Sequence, residues 1–274
     1  MCVICTGNYS QRTTYICCRC DSITTIPTIQ SLTSLKCEFC PNLQTIKPQP
    51  NLQYLICYKC PNIQSLPEFS SLINIVLNYC DSLKELPILP LLRSLDCNNS
   101  KIQTIPLFQL LSYLYCAYCS ELQEIPNFPF LEALRCEGST NLKTIPFIPT
   151  LRYLNCLGCT IQSIPPFPNL RLLKCSKCIN LVDIPVLPSL SEIRWANEDY
   201  FDNNDNWITV TSPSYGWMIG FIRRFMKRRE MKNRLKRYIK SKAYKEYCIQ
   251  FYIQKHDRNM ERIERWVENY NKNE

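Results

Sequence analysis

Apolar positions return along this chain with a period of 20 residues. Each unit reads L-x-x-L-x-C-x-x-C-x-x-L-x-x-I-P-x-x-P-x, and units begin at Leu32, Leu52, Leu72, Leu92, Leu111, Leu131, Leu151, Leu170 and Leu190. The first of these runs Leu32, Leu35, Cys37, Cys40, Leu43, Ile46, Pro50. A degraded unit precedes them at Arg12, with Tyr15, Cys17, Cys20, Ile23, Ile26 and Pro27 in phase. The units at Leu92 and Leu151 are one residue short, and both lose it between the second Cys position and the next Leu or Ile. A deletion at one fixed place marks a tolerant turn.

The spacing predicts the elements. In L-x-x-L-x-C the second Leu and the first Cys are two residues apart, so both fall on one face of a short strand. One unit cannot bury that face alone; stacked neighbours share a continuous core beneath a parallel sheet. After the second Cys the chain turns, then inserts two more apolar residues. The return carries Ile-Pro-x-x-Pro, where proline removes amide donors and fixes φ, so an extended, polyproline-like path is expected rather than a helix. Ten strands at roughly 4.8 Å each make a sheet about 45 Å long.

A period of this length with L-x-x-L-x-L-x-x-N/C-x-L is the signature of leucine-rich repeats. The chain resembles leucine-rich repeat proteins over residues 12–198. The Ile-Pro-x-x-Pro return is similar to the Leu-Pro-x-x-Pro of secreted bacterial effectors. The Cys-, Asn-, Ile-, Lys- and Tyr-rich wording resembles repeat proteins of giant DNA viruses of amoebae. The resemblance implies a leucine-rich repeat solenoid of about ten coils, with a curved parallel β-sheet, a Pro-rich convex side and little helix. It also implies a non-catalytic module that binds a protein partner on its concave face, here a viral factor acting on host proteins. Some such effectors carry a ubiquitin-ligase domain, for which residues beyond 200 offer little room. The expected organisation is an N-terminal cap or degraded coil at 1–11, the solenoid at 12–198, a capping linker at 199–218 and a basic α-helical region at 219–274.

Composition adds to this picture. Only 5 Gly stand against 19 Pro in 274 residues, as a Pro-bent solenoid requires. No N-terminal run resembles a signal peptide and no segment reaches the ~18 apolar residues of a membrane span. The expectation is an intracellular protein, in the host cytoplasm if viral. The net charge is +9, but residues 201–274 hold 17 Lys/Arg against 9 Asp/Glu, so the repeats are near neutral.

The 19 cysteines fall mostly in two columns. Cys17, Cys37, Cys57, Cys97, Cys116, Cys136, Cys156 and Cys175 form one, where Leu77 and Trp195 also stand. That slot takes an apolar group, and Cys is a small, commonly buried hydrophobe. Cys20, Cys40, Cys60, Cys80, Cys119, Cys159 and Cys178 form the other, with Ser100 and Ser139 as substitutes, as a small polar group at a turn would require. The six Cys-x-x-Cys pairs invite a zinc reading, but ligands stacked along a sheet do not converge on a tetrahedron, and His256 is the one histidine. No metal and no cofactor is expected. Parallel side-chain directions make disulfides between neighbouring strands strained, and reduced thiols are expected. Cys2 and Cys5 precede the array, in a shortened capping coil or as more reactive thiols.

The remaining strand positions face outward. They include Lys36, Glu38, Phe39, Ile56, Lys59, Val76, Asp96, Asn98, Glu137, Asn155 and Lys177, with Glu192 and Arg194 at the end. The candidate binding residues are Tyr54, Tyr58, Tyr79, Tyr113, Tyr115, Tyr118 and Tyr153, with Arg135 and Lys174. Tyr and Arg are enriched in interface hot spots; aromatic residues also favour sheet surfaces for their own sake. No nucleotide-binding or hydrolase motif is present. Cys248 with His256 eight residues on lacks any local organising group.

The tail has its own candidates. Trp207, Ile208 and Val210 could cover the open end of the solenoid. Residues 219–245 hold twelve Lys/Arg against Glu230 alone, among them Arg223, Arg224, Lys227, Arg228, Arg229, Lys232, Arg234, Lys236 and Arg237. Phe221, Ile222, Phe225 and Leu235 supply an apolar stripe, and a second helical pattern covers 246–270. A helical cap with a solvated basic face, a phosphate-driven nucleic-acid contact, and an anionic membrane or calmodulin-like contact all fit this segment.

Overall fold

The computed structural model describes residues 3–181, 184–195 and 208–211, the last four and 194–195 as backbone alone. All belong to the first of the two compact units into which the chain divides, Met1–Met226 and Lys227–Glu274. In chain order the strands are β1 (Tyr15–Cys18), β2 (Thr25–Ile26), β3 (Ser34–Glu38), β4 (Thr45–Ile46), β5 (Tyr54–Tyr58), β6 (Asn74–Val76), β7 (Ser94–Asp96), β8 (Tyr113–Tyr115), β9 (Ala133–Arg135), β10 (Tyr153–Asn155), β11 (Leu172–Lys174), β12 (Glu192–Trp195) and β13 (Ile208–Thr211). Each coil supplies one strand to a single parallel sheet from β1 to β12, and β2 pairs with β4 on the return side. The register runs Leu35, Leu55, Ile75, Leu95, Leu114, Leu134, Leu154, Leu173, Ile193 without a slip. All nine are at most 1% exposed, so stacking buries them as the repeat predicts. One departure stands at the C-terminal edge, where β13 joins β12 antiparallel, Val210 opposite Ile193. The sheet is therefore not parallel throughout, and that edge of β12 is paired rather than open.

The first coil corrects the expected register. Ile16 pairs with Leu35 and Cys18 with Cys37, so Ile16 and Cys18 point inward while Tyr15 and Cys17 are exposed. The inner column thus contains Cys18, not Cys17. The physical reason is the apolar alternation: Ile16 fills the core better than Tyr15, and a turn one residue shorter between Cys18 and Cys20 absorbs the shift.

The return path has no helix among the described residues. Its core column is Ile29, Phe69, Leu89, Phe108, Phe128, Ile148, Phe167 and Leu187. Gln49 stands in it, buried but satisfied: its Oε1 accepts from Ile29 N–H at 3.0 Å, and its Nε2 donates to the carbonyls of Pro27 at 2.7 Å and Lys47 at 3.0 Å. Carboxamides on the outside bond coil to coil in the same way, as when Asn62 Nδ2 donates to Pro41 O and Asn141 Nδ2 to Ser120 O. A tight turn follows the second Cys in the full-length coils, with Leu83 N–H donating to Cys80 O at 3.3 Å and Leu122 N–H to Cys119 O at 3.2 Å. The two deletions fall in this turn, and Ile102 and Ile161 beyond it stay buried.

From β3 onward both cysteine columns are buried. The second column forms a sulfur ladder: the thiols of Cys60, Cys80, Cys119, Cys159 and Cys178 donate to the carbonyls of Cys37, Cys57, Cys97, Cys136 and Cys156, one coil back, at 3.4, 3.5, 3.1, 2.8 and 2.9 Å. Ser139 Oγ does the same to Cys116 O at 2.8 Å. Burial pushes the thiol of Cys80 up to about 12, and that of Cys116 well above its ordinary value. Among the described residues no cluster of metal-ligating side chains forms.

Candidate interaction surface on the outer face of the sheet

The outward side chains form parallel rows across the coils. One row runs Tyr15, Ser34, Tyr54, Asn74, Ser94, Tyr113, Ala133, Tyr153, Leu172, Glu192. The next runs Cys17, Lys36, Ile56, Val76, Asp96, Tyr115, Arg135, Asn155, Lys174 by the same pairings. The tyrosines therefore do not make one strip. Tyr54 and Tyr113 stand between small or polar neighbours and Tyr153 between Ala133 and Leu172, while Tyr115 sits between Asp96 and Arg135.

Beyond β3 and each of β5 to β11 the backbone takes one left-handed residue. Phe39, Lys59, Tyr79, Asn99, Tyr118 and Lys177 have φ between 52° and 60°, and Gly138 and Gly158 occupy the same place at 69° and 70°. From Phe39 to Gly158 each donates its N–H to the residue before the corresponding one in the next coil, as Lys59 to Asn78 O, Tyr79 to Asn98 O, Asn99 to Ala117 O and Tyr118 to Glu137 O. These bonds fix a third row, Tyr58, Asn78, Asn98, Ala117, Glu137, Leu157. Tyr79 and Tyr118 thus belong to the turn at the sheet's edge, not to the strands. The Tyr118 ring lies over Gly138, where a Cβ would come within 2.5 Å of it.

Two clusters emerge. In the N-terminal coils Phe39, Tyr58 and Tyr79 meet edge to face at 5.4 and 5.6 Å. Lys59 Nζ lies 5.0, 5.6 and 5.7 Å from the Phe39, Tyr58 and Tyr79 rings, and the Arg19 guanidinium is 4.4 Å from Phe39. Cation–π contacts of this exposed kind contribute about 0.5–1 kcal/mol each.

The central cluster is polar. Arg135 lies 5.7 Å from the Tyr115 ring and pairs with Glu137, and Lys174 lies 5.7 Å from the Tyr153 ring. Glu137 holds the Arg135 guanidinium above its ordinary value. Burial raises the Asp96 carboxyl, against the pull of Asn78, Asn98 and Arg135. Burial likewise raises the Tyr115 phenol, against Arg135. Asp96 Oδ1 accepts from Asn98 N–H at 3.3 Å, and Asn98 Oδ1 accepts from Ala117 N–H at 2.7 Å. Among the described residues three buried polar side-chain atoms have no hydrogen-bond partner: Asn78 Oδ1, Arg135 Nε and Glu137 Oε2.

All nine candidate binding residues lie on this side of the coils. The structure brings Tyr58 to Tyr79, Tyr115 to Arg135 and Tyr153 to Lys174; it leaves Tyr54 and Tyr113 apart from the others. Lys59 and Glu137 stand among the outward positions read from sequence but not among the candidate binding residues, and Asn78 is not singled out there. A signal existed for Lys59, since every residue before the second Cys occupies one recurring position. Nothing in the repeat pattern marks Ile88, Leu91, Leu107, Phe130 and Phe147 as exposed on the return side. Cys248 and the basic residues Arg223, Arg224, Lys227, Arg228, Arg229, Lys232, Arg234, Lys236 and Arg237 lie outside the described residues. Among the described residues no helix is long and apolar enough to cross a membrane.

The repeat, the one-strand-per-coil parallel sheet and the extended return define a leucine-rich repeat solenoid. Solved structures to which the chain is similar include the leucine-rich repeat domain of the type III effector XopL, 19% identical, covering 65% of this chain and 73% of that one, with a TM-score of 0.43. A leucine-rich repeat protein from Bacteroides ovatus is 13% identical, covers 70% of this chain and 64% of that one, and has a TM-score of 0.33. No protein-family profile matches the chain, and no curated protein matches it significantly.

Proposed function

We propose that this chain is a non-catalytic protein-interaction module whose partner lies on the outer face of the sheet. The observation that carries this reading is the set of large aromatic side chains held exposed on rigid backbone there: Tyr54, Tyr79, Tyr113 and Tyr118 are each 39–56% exposed. Aromatic groups with polar tips, pre-positioned by a sheet, bind with little ordering cost. The partner is a host protein met in a reducing compartment, the chain acting as a viral factor in the host cytoplasm; the sulfur ladder and the Asn/Ile/Lys/Tyr-rich wording support that setting.

The test is cross-linked capture from host-cell lysate with the full chain as bait. A Tyr113→Ala/Tyr115→Ala bait is expected to lose the partner at least tenfold, while an Ile88→Ser/Leu107→Ser bait keeps it. The opposite pattern would place the interface on the return side and sink the proposal.

A further inference from the structure

At the N-terminal end of the solenoid two accessible thiols touch. Cys20 begins the second cysteine column, where no strand-bearing coil lies behind it. Its Sγ meets Cys5 Sγ at 3.4 Å, and Ser22 Oγ closes a triangle at 3.2 Å from Cys20 Sγ and 3.7 Å from Cys5 Sγ. Two sulfurs at that distance are already in contact, and a disulfide bond, at about 2.05 Å, lies a small side-chain movement away.

Access sets this pair apart. Cys5 is exposed and Cys20 half-buried. The sulfurs of Cys136 and Cys159 also approach to 4.0 Å, but both residues are fully buried, where no reagent reaches them. Among the described residues the other exposed thiol is Cys17, which points outward from β1.

The two cysteines belong to different parts of the fold. Cys5 lies in the segment that covers the end of the stack, where Ile4 and Tyr9 pack against the core. That segment bonds to itself, Gly7 N–H donating to Ile4 O and Asn8 N–H to Val3 O, each at 3.2 Å. Among the described residues no strand pairs with the outer side of β1. The terminal unit of a stacked array must be covered, and here the cover is held by a few partly buried side chains. A covalent link across the 15 positions from Cys5 to Cys20 fastens it to the first coil.

We propose that Cys5 and Cys20 are a reversible redox modification site, a dithiol that a low-molecular-weight disulfide such as oxidised glutathione converts to a disulfide, latching the N-terminal cover onto the first coil. Hydrogen bonds from Ser22, and then from Cys5, hold the Cys20 thiol below its ordinary value, which makes Cys20 the first sulfur to attack. Its thiolate attacks one sulfur of oxidised glutathione, whose S–S bond breaks to release one glutathione thiolate. Cys5 sulfur then attacks the Cys20 sulfur and displaces the second. The protons of the two cysteines end on the two released glutathiones, and two electrons pass from the protein to the small disulfide. Excess reduced glutathione runs the same steps backward. None of this depends on which face of the coils binds a partner.

The test equilibrates the full chain across a series of reduced-to-oxidised glutathione ratios, then quenches with acid, alkylates and digests with trypsin. Cleavage after Arg12 and Arg19 separates Cys5 from Cys20 unless a bond joins them. The expected product is residues 1–12 linked to residues 20–36 through Cys5 and Cys20, released by reductant. It is expected in Cys17→Ser and absent in Cys5→Ser and Cys20→Ser. Circular dichroism before and after oxidation confirms that the link forms in the folded chain. In the oxidised chain amide hydrogen exchange over residues 3–9 should slow about tenfold. Absence of a link at every ratio overturns the proposal, as does glutathione retained on Cys5 or Cys20 without closure, or a link made through Cys2 or Cys17 instead. A Cys5–Cys20 link that leaves exchange over residues 3–9 unchanged overturns the latch.

Discussion

At the residue scale the coil is built around two unusual positions. The first is the left-handed residue that follows β3 and each of β5 to β11. L-residues bear a cost of about 1–2 kcal/mol there, and glycine does not. Gly158→Ala has space for its methyl, the nearest atom being 3.9 Å away, so its cost is the backbone alone. We expect a loss of about 1 kcal/mol in urea denaturation. Gly138→Ala should lose little more, because the Tyr118 ring that it would strike is exposed and can swing aside. The second position is cysteine, which serves two chemistries in one unit. Cys159 donates to a carbonyl, and serine does that work at Ser139, so Cys159→Ser should change stability by less than about 0.5 kcal/mol. Cys116 is a buried hydrophobe in the inner column, and Cys116→Ser should cost about 1–3 kcal/mol for burying a hydroxyl. Equal losses for the two serines in denaturant melts would contradict this division.

At the element scale the strand register decides which side chains face the partner. It was legible from the spacing of Leu and Cys in every coil from Leu32 on, since the period-2 pattern there has one apolar solution. In the first coil it was not, because Tyr15 and Cys17 imitate the inward phase, and only pairing with β3 shows that Ile16 and Cys18 take it. Two adjacent cysteines thus have opposite fates. Brief treatment of the native chain with N-ethylmaleimide should label Cys17 and spare Cys18, read by mass spectrometry of the peptide that contains both. Protection of Cys17 with labelling of Cys18 would restore the register that the repeat alone implies. The left-handed turn was likewise hidden from sequence. Phe, Lys, Tyr and Asn occupy it as well as Gly, so no glycine signature announces it.

At the scale of the whole solenoid, stacking turns a local repeat into a long surface. The class of fold was readable because each coil's apolar face can be buried only by its neighbours. The candidate surface was readable as a face, since period 2 fixes which residues point outward. Its working groups were not, because they depend on which residues of different coils become neighbours. Asp96, Tyr115 and Arg135 are neighbours only across strands, and the orphaned oxygen of Glu137 arises from burial that no spacing reports. Among the described residues, exposed apolar side chains on the return side, Ile88, Leu107, Phe130 and Phe147, set a rival surface. The decisive measurement is a covalent footprint of the full chain, with and without its captured partner, using carboxyl- and hydroxyl-radical labelling read by mass spectrometry. The account predicts protection at Tyr113, Tyr115, Tyr153 and Asp96, with the return side labelled as before. Protection confined to Ile88, Leu107, Phe130 and Phe147, with Tyr113 and Asp96 unchanged, would contradict it.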